Sequence, residues 1–408
     1  MAQYQQTAGA AIPELAQLER KSFIAAGAAG VVSLLGLWLN PAQFLHSYLL
    51  AYMLCLGATL GCLALGMVHQ LSGGAWGVLI RRPIGAASRV MPVMTALFLP
   101  IALGVTTLYS WANPANVAND EILRHKHLYL NVPFFLARAV VYFAVWNALV
   151  YYLNRWSLEQ DETADPDLAR RMQKLSAGGL LAYGLTITFA SFDWLMSLDP
   201  HWFSTIYGVL LMGGQGLTAL AVVTIVLVWL SRRPPLQKIV QPAHFHDLGN
   251  LMLAFTMLWA YFSFSQYLII WSGNLPHEIE WYRHRSFTSW RFVALALMVG
   301  HFALPFVVLL SRSVKRHADT ILKVAVWILV ARVVDLLWLI SPDFHQDGLS
   351  VSWMDVVLPV ALGSAWTGAF IWQLRGRAIL PFHDPQFGET LQPIIERSGQ
   401  RPKPGTAH

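Results

Sequence analysis

Charged side chains are scarce in this sequence: Asp, Glu, Lys and Arg make up 12% of it, against roughly 25% in a soluble domain. A water-facing globule needs polar groups over its surface, so a soluble class is excluded. Cysteine is scarcer still, with only Cys55 and Cys62, both in one apolar run. There is no Cys-x-x-Cys, no Cys-x-x-Cys-His and no iron–sulfur spacing, which excludes covalently attached haem and clusters held by this chain. The two cysteines read as small apolar residues on one helix face. No basic stripe interleaved with exposed aromatics is present, so nucleic acid is excluded as a partner. Residues 1–21 are largely polar and do not read as a signal peptide.

What the sequence has instead is hydrophobicity, at 56% of its residues and a mean hydropathy of +0.48. An apolar run of about 20 residues crosses ~30 Å of hydrocarbon as a helix. Ten runs approach that length: 22–39, 44–68, 90–109, 130–153, 175–198, 205–230, 248–271, 289–310, 321–340 and 351–374. Pro41, Pro200 and Pro342 fall just outside these spans, whereas Pro100, Pro305 and Pro359 fall inside and are expected to kink them.

The loops alternate in charge. One side collects Arg20, Lys21, Arg81, Arg82, Arg89, Arg155, Arg170, Arg171, Lys174, Arg232, Arg233, Lys238, Arg312, Lys315, Arg316, Arg375 and Arg377. The other has only Arg124, Lys126, Arg283 and Arg285, beside Asp120, Glu121, Glu278 and Glu280. The positive-inside rule places the first group, and with it both termini, in the cytoplasm. Two long external segments, 111–128 and 272–288, are rich in aromatic and ionisable residues and read either as docking surfaces or as interfacial anchors.

The fifth span ends Asp193-Trp-Leu-Met-Ser-Leu-Asp-Pro200, and the ninth ends Asp335-Leu-Leu-Trp-Leu-Ile-Ser-Pro342. Each aspartate lies seven residues, about 10 Å of helix, before the closing proline. The motifs are four helices apart, so they share an orientation. The expected fold class is an all-α integral membrane protein with two parallel-related four-helix bundles, helices 2–5 and 6–9, plus two peripheral helices. The segments would be 1–21 (cytoplasmic), 22–204 (first helix and first bundle), 205–342 (second bundle), 343–374 (tenth helix) and 375–408 (cytoplasmic tail).

Arg138, Asp193, His301, Arg332 and Asp335 fall well inside spans, where a central Arg or Asp costs about 2.5–3.5 kcal/mol and must be paired or hydrated. By depth, Arg138 can meet Asp193 across helices four and five, and Arg332 and Asp335 share a face of helix nine. With Asp247 and Lys323 toward the inner surface, His301, Arg332 and Asp335 form a candidate proton ladder, hydrated by Tyr261, Ser263, Ser265 and Gln266. The same residues read alternatively as structural pairs. A bis-histidine haem would need a second histidine at the depth of His301, and none is evident.

The run from Asp193 to Phe203, Asp247-Leu-Gly-Asn250, Trp259-Ala-Tyr-Phe-Ser-Phe-Ser-Gln-Tyr-Leu-Ile-Ile-Trp271, Asn274-Leu-Pro276, His301-Phe302 with Leu304-Pro-Phe306, and Arg332-Val-Val-Asp335-Leu-Leu-Trp338 together carry a resemblance. They resemble the ActF-type, NrfD-like (polysulfide-reductase-like) membrane subunit of bacterial alternative complex III, strongly over helices five to ten and weakly over the first four. The resemblance implies a ten-helix subunit of the bacterial inner membrane in a quinol:electron-acceptor oxidoreductase. It also implies a sister NrfD-like subunit and periplasmic multihaem cytochrome and iron–sulfur subunits as partners. Haem and clusters would then sit in those partners, and the quinol site chiefly in the sister subunit. Should this chain itself bind menaquinol or ubiquinol, the place expected is the outer end of the first bundle, at Arg138, Asp193 and His201. A two-repeat secondary transporter and a purely structural membrane anchor are the competing readings.

Overall fold

The computed structural model describes residues 13–163, 165–234, 236–375, 377–380 and 387. Among the described residues there is no β-strand, and ten helices are long and apolar enough to cross a membrane. The chain is a multi-pass, all-α membrane protein. Its spans are α1 (Pro13–Leu39), α2 (Pro41–Ser72), α3 (Arg81–Leu103), α4 (Val132–Thr163) and α5 (Pro166–Trp194). They continue with α6 (Tyr207–Ser231), α7 (Pro242–Gly273), α8 (Arg291–Leu310), α9 (Ala318–Ile340) and α10 (Met354–Leu374). Ten crossings bring both ends of the described chain to one face, called here the terminal face.

Helix ends follow backbone hydrogen bonding and capping, so several differ from the limits of the apolar runs. α1 is already helical at Pro13, ahead of its apolar run. α2 begins at Pro41, and the Asn40 side chain accepts from the Gln43 amide at 3.1 Å. α3 starts nearer the terminal face than its apolar run and is broken into Arg81–Ser88, Met91–Ala96 and Leu99–Leu103. Pro92 and Pro100 each sit at the start of a new piece, where the missing N–H and the ring clash interrupt the ladder. α8 passes through a π-helical turn, Leu297–Ala303, before Pro305, whereas α10 runs unbroken through Pro359. Beyond residue 375 the expected cytoplasmic tail lies outside the described residues, apart from 377–380 and 387.

α2 and α6 are the most buried spans and pack on each other. Their backbones touch at Gly61, where an added Cβ would lie 2.1 Å from the Gln215 carbonyl oxygen. Close approach at small residues drives helix association in lipid, since apolar burial gives no net gain there. α2 also contacts α3, α5, α9 and α10; α4 contacts α5; and α6 contacts α5, α7 and α9. α1 lies along α10 and touches α2, and much of its remaining surface is apolar.

Polar side chains tie these helices sideways. Tyr183 donates to Gln215 Oε1 at 2.7 Å, Trp366 Nε1 to Thr59 Oγ1 at 2.8 Å, and Trp146 Nε1 to Thr186 Oγ1 at 2.8 Å. Ser47 donates to Asp355 Oδ1 at 2.5 Å. Such interhelical bonds average about 0.6 kcal/mol each, so they set register more than they set stability. On the face opposite the termini, short helices Pro114–Asn119, Glu121–Lys126 and Pro276–Ser286 cover the ends of the spans.

Candidate functional site: two buried acid–base clusters

The first cluster is built by α4 and α5. Arg138 Nε donates to Asp193 Oδ2 and Nη2 to Asp193 Oδ1, both at 2.8 Å, a bidentate fork. Arg138 Nη1 donates to the Tyr129 carbonyl at 3.0 Å, and the Tyr142 hydroxyl to Asp193 Oδ2 at 2.7 Å. Tyr142 stands one turn after Arg138, on the same face of α4. The guanidinium also lies 3.8 Å from the Tyr129 ring centroid and 4.3 Å from that of Phe134. Asp193 is wholly buried, and its backbone carbonyl accepts from Ser197 at 2.6 Å. Both charges are compensated, and each carboxylate oxygen has a donor. The Tyr129 hydroxyl is buried without a partner.

His201 does not join this cluster. It stands on the surface, where Nε2 meets Asp120 Oδ2 at 2.6 Å. Asp120 also caps the helix Glu121–Lys126, accepting from the amides of Ile122 and Leu123. The bond from the Leu123 amide, aided by His201, holds the Asp120 carboxyl below the usual carboxylate range. Lys126 donates to the Pro200 carbonyl at 2.5 Å and so ties this loop to the end of α5. Burial lowers the Lys126 ammonium from its usual value. A cleft of 560 Å³ under this loop is lined by Trp111, Val117, Arg124, His127, Asn131 and Pro133 among others; Arg138, Asp193 and His201 are not in its wall.

The second cluster gathers α6, α7, α8 and α9. Arg332 Nη1 donates to Asp335 Oδ2, and Arg332 Nε to Thr218 Oγ1 at 3.3 Å. Trp259 Nε1 reaches the same Asp335 oxygen at 3.3 Å. The Trp259 ring stands edge-on to His301, with centroids 4.1 Å apart. His301 is 0% exposed, and neither ring nitrogen has a hydrogen-bond partner. Leaving one such group unmade costs about 1–3 kcal/mol. The ring is delivered by the π-helical turn of α8; π-bulges occur disproportionately at functional sites. Gly214 on α6 makes room for the arginine, since a Cβ there would lie 2.3 Å from Arg332 Nη2.

The remaining ladder candidates lie apart from this cluster. Lys323 is exposed on α9 and forms no ion pair among the described residues. Asp247 is half exposed near the start of α7 and meets His246 at 3.8 Å. Tyr261 points to the outer surface, 65% exposed. Gln266 is buried but is engaged by Ser204 and Tyr282, at 3.1 and 3.3 Å.

One buried charge pair escaped sequence reasoning. Arg285, in the segment between α7 and α8, is 1% exposed and donates to Asp343 Oδ1 at 2.9 Å. Its guanidinium lies 3.5 Å above the Trp281 ring, and Trp281 stacks on Trp202 at 4.7 Å. A charged residue in a loop reads as exposed; the usable signal is the Trp281–Arg285 spacing of one helical turn. Asp355, held by Ser47, is another buried acid that span depth does not single out, because it stands in the first turn of α10. Thr218 has no sequence signal, because only the packing of α6 on α9 brings it to Arg332.

Among the described residues no group of three or more His, Cys, Asp or Glu is arranged to hold a metal ion. No protein-family model matches the chain, and no curated protein matches it.

Proposed function

We propose that this chain is a membrane subunit of a respiratory quinol-oxidising complex of the alternative complex III type, supplying part of a transmembrane proton pathway and anchoring redox subunits. The observation that carries the pathway is His301: an imidazole at membrane depth, free of hydrogen-bond partners, against the Trp259–Asp335–Arg332–Thr218 chain. A neutral imidazole can accept a proton at one nitrogen and release it from the other. Arg332 limits the lifetime of the charged state by repulsion, and Asp335, paired with that arginine, offsets part of it. Redox-linked displacement of α8 or α9 would alter that balance and move the proton. Asp247 and Lys323, apart from the cluster and nearer the terminal face, would serve only as its entrance, on the side that the distribution of Lys and Arg makes cytoplasmic.

The resemblance of the helix-five, helix-seven and helix-nine motifs supports the assignment to a complex, with a sister NrfD-like subunit and haem and iron–sulfur subunits as neighbours. Reading α2–α5 and α6–α9 as parallel copies aligns Asp193 with Asp335 and Pro200 with Pro342. The first cluster then serves as the locked counterpart of the second. Quinol oxidation belongs to the sister subunit in this reading, because the polar groups of Arg138 and Asp193 are already committed to protein partners.

Gentle detergent extraction of native membranes, followed by mass and redox-spectral analysis, tests the assignment. Co-purification with multihaem and iron–sulfur subunits and quinol-oxidising activity is the expected result. A colourless, solitary protein would overturn it and favour transport.

A further inference from the structure

A cleft of 750 Å³ opens at the terminal-face end of α3, α4 and α10. Its wall follows α4 from Asn147 to Glu162, about 22 Å of helix. Pro92 and Val150 line its deeper part beside Asn147, whereas Arg89, Arg155 and Arg377 stand nearer the terminal face. This is the grading of a site that takes an acyl chain below and a charged group above.

None of the three arginines forms an ion pair among the described residues. Arg89 donates from Nη1 to Asn154 Oδ1 at 2.6 Å, from Nε to Gln373 Oε1 at 3.2 Å and from Nη2 to the Gln373 carbonyl at 3.2 Å. Arg377 donates to the same Oε1 and carbonyl, at 3.0 and 3.1 Å. Two half-buried guanidiniums thus share one neutral glutamine, and neither forms an ion pair among the described residues. The adjacent Arg82 is committed to Asp161. Arg155 is exposed and, among the described residues, bonds only to the Tyr151 hydroxyl, at 3.2 Å. Burial and the nearby Arg82 lower the Arg377 guanidinium from its usual value. Clustered cations beside the membrane, held open by neutral acceptors, fit an anion.

We propose that this cleft binds an anionic glycerophospholipid, its phosphodiester against Arg89, Arg377 and Arg155 and one acyl chain along Val150 and Pro92. Three arginines against Glu159 and Glu162 leave one positive charge, which matches one phosphodiester. Arginine forks suit phosphate geometry, and basic pockets between spans on the positively charged side bind such headgroups. A free phosphate would use the arginines but would leave the apolar wall unfilled.

The test uses the full chain, purified in mild detergent and placed in nanodiscs of phosphatidylcholine with or without phosphatidylglycerol. Bound lipid is counted by native mass spectrometry. Phosphatidylglycerol should be retained over phosphatidylcholine and resist millimolar inorganic phosphate. Near-surface arginines contribute enough that Arg89→Gln with Arg377→Gln should weaken retention about thirtyfold, and Arg377→Gln alone about fivefold. Arg377 lies beyond the end of α10, so its variant stays informative should the double variant fail to fold. Equal retention of both lipids, retention unchanged in Arg377→Gln, or displacement of all lipid by phosphate would each overturn the proposal.

Discussion

The two buried arginine–aspartate pairs differ in how completely they are satisfied, and in the proposed function that difference separates a lock from a relay. Arg138 and Asp193 come from different helices, meet through a bidentate fork and draw in Tyr142 and the Tyr129 carbonyl. Arg332 and Asp335 stand on one helix, share a single oxygen with Trp259, and lie beside a histidine with no partner. An ion pair with both carboxylate oxygens engaged resists change in protonation because each donor would need a new partner. An unsaturated one has somewhere to put a proton.

Arg138→Gln should produce the largest effect, because it leaves Asp193 as a buried charge held mainly by Tyr142. Removing one partner of such a pair costs about 3–5 kcal/mol, to be read as loss of folded protein in detergent stability assays. A change below ~1 kcal/mol would show the pair to be hydrated and would erase the contrast.

His301→Leu sharpens the comparison through its sign. An apolar residue of similar size removes two unsatisfied polar atoms, so stability should rise by about 1–3 kcal/mol while proton translocation falls. Loss of stability would instead mark His301 as a structural residue with partners of its own.

Gly214→Ala should cost about 1–3 kcal/mol, since the new methyl displaces the Arg332 guanidinium from Thr218. Proton transfer should change with it and quinol oxidation should not. Equal stability to the parent protein would mean that Arg332 readily adopts another position.

The smallest effect belongs to the surface. Asp120 has a lowered pKa, so its contribution to the order of the α3–α4 loop is present above the ordinary carboxylate value of about 4 and is lost as pH falls through the folded value. Hydrogen exchange of the Ile122 and Leu123 amides should therefore accelerate, relative to intrinsic rates, between neutral and strongly acidic pH. Tyr282, in Pro276–Ser286, has its phenol pushed up to about 12 by burial. The unfolded phenol ionises near 10, so this loop loses stability as pH rises from about 10 to 12.

Much of this contrast is legible in the amino-acid sequence. Apolar run length identifies the ten spans, because crossing a bilayer imposes a length and a composition together. Helical depth places Arg138 within reach of Asp193, and three-residue spacing joins Arg332 to Asp335. The limits of α1 and α3 are not legible from hydropathy, since a helix continues past the hydrocarbon wherever its backbone stays bonded. The π-turn at His301, the reach of Trp259 to Asp335 and the insertion of Thr218 are properties of helix packing. Periodicity along one chain carries no record of which neighbour faces which. Arg285 is misplaced by sequence for a related reason: in a connecting segment, exposure depends on what packs over it.

The most direct measurement is proton translocation by the whole complex reconstituted in liposomes, comparing the parent protein with Asp335→Asn. The substitution keeps the shape and a hydrogen-bond acceptor for Trp259 but removes the charge that offsets Arg332 beside His301. Quinol oxidation should persist while proton movement per electron falls about tenfold, the equivalent of ~1.4 kcal/mol in the transfer step. Undiminished proton movement in a fully assembled variant would contradict the relay and leave both clusters as structural locks.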